Sequence, residues 1–129
     1  FYAGDAELVA YLREVRKHVG MMVPGPAQAA AVAALDDDEH VELQRDRYRR
    51  RLERLGRTLS QWGGIDVPMP AGGFYLWFAV DDAWRFAERL ACEAGTLVSP
   101  GEFYGVAGSR HVRVAVVQPD ERIDLVAGA

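Results

Sequence analysis

The sequence has 129 residues but only one cysteine, Cys92, and one lysine, Lys17. A single cysteine excludes an internal disulfide. Neither it nor the three scattered histidines, His18, His40 and His111, falls at the short paired spacing of a structural zinc site, so no metal is expected. The histidines read as structural or solvent-facing, Cys92 as a buried inert thiol within a helix, and a reducing, cytoplasmic setting is the expectation. No run approaches the roughly 20 apolar residues that a membrane span requires, and Phe1-Tyr2-Ala3-Gly4-Asp5 has neither the basic start nor the apolar stretch of a signal peptide. An initiator methionine is missing, and the last residues, Asp124 to Ala129, break off inside a helical pattern; both ends are expected to be truncations. An excess of positive charge is also missing: the net charge of -4 argues against a nucleic acid or an anionic membrane as partner. The lone lysine lies between Arg16 and His18 with no sign of an activating pocket, so Schiff-base chemistry would need an amine from elsewhere.

What the chain does have is apolar material, 50% of its residues, enough for one modest core. Asp5 is placed to cap a first helix whose apolar residues Leu8, Leu12, Val15 and Val19 recur at helical spacing until Gly20. Pro24-Gly25-Pro26 opens a second, alanine-rich helix reaching about Leu35. The acidic run Asp36 to Glu39 suits the start of a third, because carboxylates are favoured beside unpaired N–H groups at a helix N-terminus. From Val41 to Leu59 that helix carries an apolar stripe of Val41, Tyr48, Leu52, Leu55 and Leu59. Seven arginines (45, 47, 49, 50, 51, 54 and 57) occupy mostly its other faces, interrupted by Asp46 and Glu53. They read as a solvated helix face, with a phosphate or nucleic-acid patch as the alternative.

After Trp62-Gly63-Gly64 the period changes. Phe74, Leu76, Phe78 and Val80 alternate with Tyr75, Trp77 and Ala79 as a strand expected to be buried on both faces, introduced by Pro70-Ala71-Gly72-Gly73. Ala83, Ala87, Leu90 and Ala94 mark a helix ended by Gly95. Thr96-Leu97-Val98 reads as a short strand and Pro100-Gly101 as a turn, and a glycine-containing loop runs to Ser109. His111 to Val117 alternates again, and a last helix begins near Asp120. Helices followed by a strand-helix-strand-strand-helix series predict an α/β layer architecture, without internal repeats.

Chemistry centres on Arg113. Strand geometry sets it on the face opposite Val112 and Val114, with Ala115 on its own face. A guanidinium there needs a partner, and its planar fork fits either an internal Asp or Glu or the carboxylate of a substrate. Gly72 and Gly73 either permit a turn or let a ligand approach the backbone, and Tyr75 and Trp77, sharing one strand face, either fill the core or line a pocket.

Three segments, taken in order, resemble the small domain of class I/II pyridoxal-phosphate-dependent aminotransferases: Ala71-Gly72-Gly73-Phe74-Tyr75-Leu76-Trp77, then Leu97-Val98-Ser99-Pro100-Gly101-Glu102-Phe103-Tyr104-Gly105, then His111-Val112-Arg113-Val114-Ala115. Arg113 matches the family arginine that clamps the α-carboxylate of the amino-acid substrate, with Gly73 and Tyr75 as pocket residues. Phe1-Tyr2-Ala3-Gly4-Asp5 resembles the segment just after the lysine that anchors the cofactor and the arginine that holds its phosphate, so both are expected upstream of Phe1. No catalytic residue is assigned within the chain. Gly20 to Pro26 with Gln28 is similar to the family segment near the subunit interface and active site.

The resemblance implies an α/β fold, the C-terminal small domain of a fold type I aminotransferase with helices packed on a small sheet. Residues 36–129 would form that domain, and residues 1–35 the end of the large domain with the interdomain segment. It further implies pyridoxal 5'-phosphate as cofactor in the intact enzyme, amino acids and 2-oxo acids as substrates, a homodimer, and an isolated chain that does not transaminate. Arg16 to Pro24 and Asp36 to Val41 look most like bacterial succinyldiaminopimelate aminotransferases of lysine biosynthesis, which use 2-oxoglutarate. Aspartate, methionine and kynurenine types, and a non-catalytic α/β binding module, are the alternatives.

Overall fold

The computed structural model describes residues 2–127, which form five α-helices and a three-stranded antiparallel sheet. The chain divides into two compact units, Phe1–His40 and Val41–Ala129.

In the first unit, α1 (Ala6–His18) begins where Asp5 accepts the backbone N–H groups of Glu7 and Leu8, both at 3.0 Å, and Gly20 follows it at φ 75°. Pro26 lies in the first turn of α2 (Gly25–Leu35), where its missing N–H costs nothing. The loop between the helices is held by side chains. Arg16 donates to the Tyr2 hydroxyl at 2.8 Å and to the Met21 carbonyl at 2.8 and 3.2 Å, and the Gln28 amide donates to the Val23 carbonyl at 2.8 Å. Neither helix buries a residue; the periodic Leu8, Leu12, Val15 and Val19 are all exposed.

The second unit is two layers. The long helix α3 (Asp38–Gly63) supplies Leu52, Leu55 and Leu59 to the core. The sheet, in order β1-β3-β2, adds Leu76 and Phe78 from β1 (Tyr75–Ala79) and Val112 and Val114 from β3 (His111–Ala115). Ala83 and Leu90 of α4 (Ala83–Ala94) and Ile123 of α5 (Asp120–Ala127) complete it. Leu76, Phe78 and Val112 are sealed from solvent, and burying each such side chain contributes roughly 1.5–3 kcal/mol. All these residues lie on one face of the sheet, because strand alternation sends Tyr75, Trp77, Arg113 and Ala115 to the other.

The arginines of α3 are partly used within this unit. Arg51 pairs with Asp120 and Arg54 with Asp124, which ties α5 to α3. The hydrogen bond from Arg51, helped by the charges of Arg51, Arg47 and Arg50, holds the Asp120 carboxyl below the usual carboxylate range.

Several expectations are corrected. The strand Phe74 to Val80 is apolar on both faces but buried on only one: Leu76, Phe78 and Val80 face the core while Tyr75, Trp77 and Ala79 are exposed, as an antiparallel sheet covered on one side requires. The expected strand at Thr96-Leu97-Val98 is not formed; β2 is Ser99–Pro100. Gly95 takes the left-handed conformation (φ 61°) that closes α4, so the Thr96 N–H is directed to the Leu90 carbonyl and its hydroxyl to the Ala94 carbonyl at 3.1 Å. With Thr96 engaged in the helix end, Leu97 is left exposed and the ladder starts only at Ser99, opposite Arg113. The loop that follows contains two 3₁₀ turns, Gly101–Tyr104 and Val106–Gly108. Cys92 is exposed, not buried, because it lies two residues past the buried Leu90 and so on the far side of α4.

Candidate functional site

The open face of the sheet gathers polar and aromatic side chains. Arg113 stands on the central strand, opposite Trp77 of β1 and Ser99 of β2. Its guanidinium packs on two tyrosine rings, with the carbon 4.3 Å from the ring centre of Tyr75 and 4.3 Å from that of Tyr104. Tyr75 reaches it from the diagonal position of the neighbouring strand, a separation that a long arginine and an aromatic ring can bridge. Tyr104 comes from the first 3₁₀ turn, which doubles back over the sheet after β2.

Two contacts fix that turn. On the inside, Gly101 and Gly108 come so close to each other and to Trp77 that a Cβ on Gly101 would stand 2.7 Å from the tip of the Trp77 ring. On the outside, the Trp84 indole donates to Glu102 at 2.8 Å and meets Phe103 edge-on, ring centres 5.4 Å apart. Trp77 is itself immobilised, stacked on His111 at 5.1 Å and meeting Tyr104 edge-on at 5.9 Å.

Among the described residues of this unit, no ion pair or hydrogen bond engages Arg113 with a protein acceptor. The internal carboxylate that sequence geometry allowed is therefore not what holds it; two aromatic faces are. Beyond β2 the edge of β3 is unpaired, and a groove of about 530 Å³ opens there, walled by Arg113, Ser99, Ala115 and Gln118 beside apolar Leu97 and Val117.

Of the residues singled out from sequence, the structure brings Tyr75 and Arg113 together. Gly73 stands at the head of β1 at φ 81°, which accounts for a glycine by backbone alone; nothing lies within 4 Å of where its Cβ would be, so the main chain there is open. Trp77 lies on the exposed face and not in the core. Tyr104 carried no signal as an individual residue, because its approach to Arg113 depends on the fold of the turn.

A family model described as aminotransferase class I and II matches residues 1–129. The chain belongs to this aminotransferase family. It is 47% identical over 128 residues to the probable aminotransferase Rv1178 of Mycobacterium tuberculosis, an alignment covering 99% of this chain and 30% of that protein. It is 48% identical over 126 residues to 4-dedimethylamino-4-oxo-anhydrotetracycline transaminase OxyQ of Streptomyces rimosus, covering 97% of this chain and 34% of the relative. The substrate-bound structure of BacF from Bacillus subtilis superposes with a TM-score of 0.83 at 29% identity, covering 98% of this chain and 33% of that one. The chain thus spans about a third of the length of the curated relatives it matches. The architecture is that of the aminotransferase structures it matches, and no helix among the described residues is long and apolar enough to cross a membrane.

Members of this family generally depend on pyridoxal phosphate. The one lysine of the chain does not fit as its anchor. Lys17 is exposed on α1, with its ammonium 3.4 Å from the Glu14 carboxylate and no enclosing pocket of the kind that activates a nucleophilic amine. Titrating this chain with pyridoxal phosphate, then borohydride reduction and peptide mapping, is expected to give no stoichiometric label on Lys17. A specific adduct there would overturn this account of the lysine.

Proposed function

We propose that the complete protein carrying this chain is a pyridoxal-phosphate-dependent aminotransferase, and that the chain provides its grip on the substrate carboxylate. One observation carries this reading: in a member of the aminotransferase family, Arg113 stands on an open sheet face with its donors unspent on any acceptor among the described residues of its unit. A planar fork with free N–H groups suits a bidentate carboxylate, and a fixed carboxylate orients the bond that must be broken at the adjacent carbon. When bound, the cofactor supplies the electron sink, and the amine that holds it comes from outside these residues. Residues 1–35 then belong to the end of the large domain and its link, and residues 36–129 to the C-terminal small domain. The apolar side chains that α1 and α2 leave exposed, Leu8, Val32 and Leu35 among them, support burial against the rest of a cytoplasmic homodimer.

Within the family, the likeness of Arg16 to Pro24 and of Asp36 to Val41 to succinyldiaminopimelate aminotransferases supports N-succinyl-LL-2,6-diaminopimelate as amino donor and 2-oxoglutarate as acceptor. The identity to OxyQ favours a second reading, transfer to the oxo group of a polycyclic product. A donor panel with the complete protein and pyridoxal phosphate tests both. The expected result is glutamate formed from 2-oxoglutarate fastest with N-succinyl-diaminopimelate. A preference for aspartate, methionine or kynurenine, or for a cyclic ketone as acceptor, would replace the substrate assignment. No transfer from any donor would make the chain part of a binding module.

A further inference from the structure

We infer that Tyr75 and Tyr104 are positioning residues that hold the Arg113 guanidinium by its two faces, so that only its in-plane donor edge is presented to a carboxylate. The inference rests on the carboxylate-binding reading of Arg113 and deepens it.

An arginine meant to bind a ligand faces a conflict. Held by an internal carboxylate, it is well oriented, but the same N–H groups that should meet the ligand are already taken. Left alone on a four-bond stem, it keeps its donors and loses its orientation. Stacking between rings avoids both outcomes. Each ring centre lies 4.3 Å from the guanidinium carbon, within cation–π range, and this attraction acts through the π faces and uses no hydrogen bond.

The two rings also come from independent supports. Tyr75 is fixed by the ladder to β3 and packs against Phe74 at 4.6 Å. Tyr104 is fixed by its edge contact with Trp77 and by the glycine-tight turn that carries it. Both tyrosines are partly exposed, 37% and 48%, so neither is spent on filling the core. Rings on its two faces would leave the guanidinium open only in its own plane, which selects a carboxylate approaching edge-on.

The hydroxyls play no part in this account; only the rings do. The test is therefore equilibrium binding of 2-oxoglutarate to the complete protein, measured by calorimetry for Tyr104→Leu, Tyr104→Phe and the same pair at Tyr75, each alone and with Arg113→Ala. The leucine variants are expected to raise Kd about three- to fivefold, the size of a cation–π contact to which solvent has access. The phenylalanine variants should stay within about twofold of the parent, and a leucine variant should add nothing once Arg113 is alanine. Equal losses for phenylalanine and leucine, or an undiminished leucine effect in the Arg113→Ala background, would overturn the positioning role. If Arg113→Ala alone leaves Kd unchanged, the carboxylate reading fails instead, and the inference falls with it. Should Tyr104→Leu fail to fold, Tyr104→Trp keeps a ring over Arg113 and must retain binding for the inference to stand.

Discussion

Arg113→Ala in the complete protein should lower kcat/KM for amino-acid substrates by about 3–4 kcal/mol, roughly 100- to 1,000-fold, while leaving the fold intact. The size follows from losing two hydrogen bonds to a charged group, each contributing about 1.5–3 kcal/mol, with some recovery because water can enter an open sheet face. The intact fold follows from what Arg113 touches. It closes no ion pair among the described residues of its unit, and it lies on the side of the sheet opposite the buried Leu76, Phe78, Val112 and Val114. The structural loss is then confined to two ring contacts, of about 0.5–1 kcal/mol each where solvent has access. Arg113→Lys should recover little. A compact ammonium carries charge to the same place but offers neither a planar fork to the carboxylate nor a flat surface to Tyr75 and Tyr104. Steady-state kinetics beside a thermal melt separates the roles. A large kinetic loss with a nearly unchanged melt assigns Arg113 to substrate; a lowered melt with unchanged kinetics returns it to structure.

Much of the scaffold behind this site is legible in the sequence. Asp5 caps α1 and Gly95 closes α4, as their residue types foretell. The alternation around Arg113 by itself places it opposite Val112 and Val114. What misleads is that tyrosine and tryptophan count as apolar in any pattern. Tyr75 and Trp77 alternate with Leu76 and Phe78, so the strand reads as buried twice over, although Leu76 and Phe78 pack the core while Tyr75 faces the Arg113 cation and Trp77 stacks on His111. Only a partner strand and a neighbouring turn separate the two uses. Leu97-Val98 misleads in another way. Their type suits a strand, but the helix end at Gly95 has first claim on the Thr96 N–H, and that bond shifts β2 to Ser99–Pro100. Tyr104 is the hardest to foresee, since its place is set by contacts between Gly101, Gly108 and Trp77 that no local pattern encodes.

Those contacts make Gly101 the most sensitive glycine of the site. Gly101→Ala should destabilise the protein by about 3 kcal/mol, the upper end for forcing one extra carbon into a packed position. The backbone conformation is no obstacle, because Gly101 is not among the residues at positive φ. Space is: the new Cβ would stand 2.7 Å from the Trp77 ring and 2.8 Å from the His111 carbonyl oxygen, with the Gly108 carbonyl closer still. None of these can yield cheaply. The two carbonyls are main chain, one of them at the start of β3, and Trp77 is stacked against His111. Relief comes only if the turn lifts from the sheet, which carries Tyr104 away from Arg113. The same variant should therefore weaken carboxylate binding about as much as Tyr104→Leu does. Gly72→Ala is the control, since it has ordinary φ and nothing within 4 Å of the added carbon, and it should leave the urea midpoint nearly unchanged. If Gly101→Ala unfolds at the same urea concentration as the parent, the turn is not pinned by this approach. Tyr104 would then owe its place to the Trp84, Glu102 and Phe103 contacts on the outer side alone.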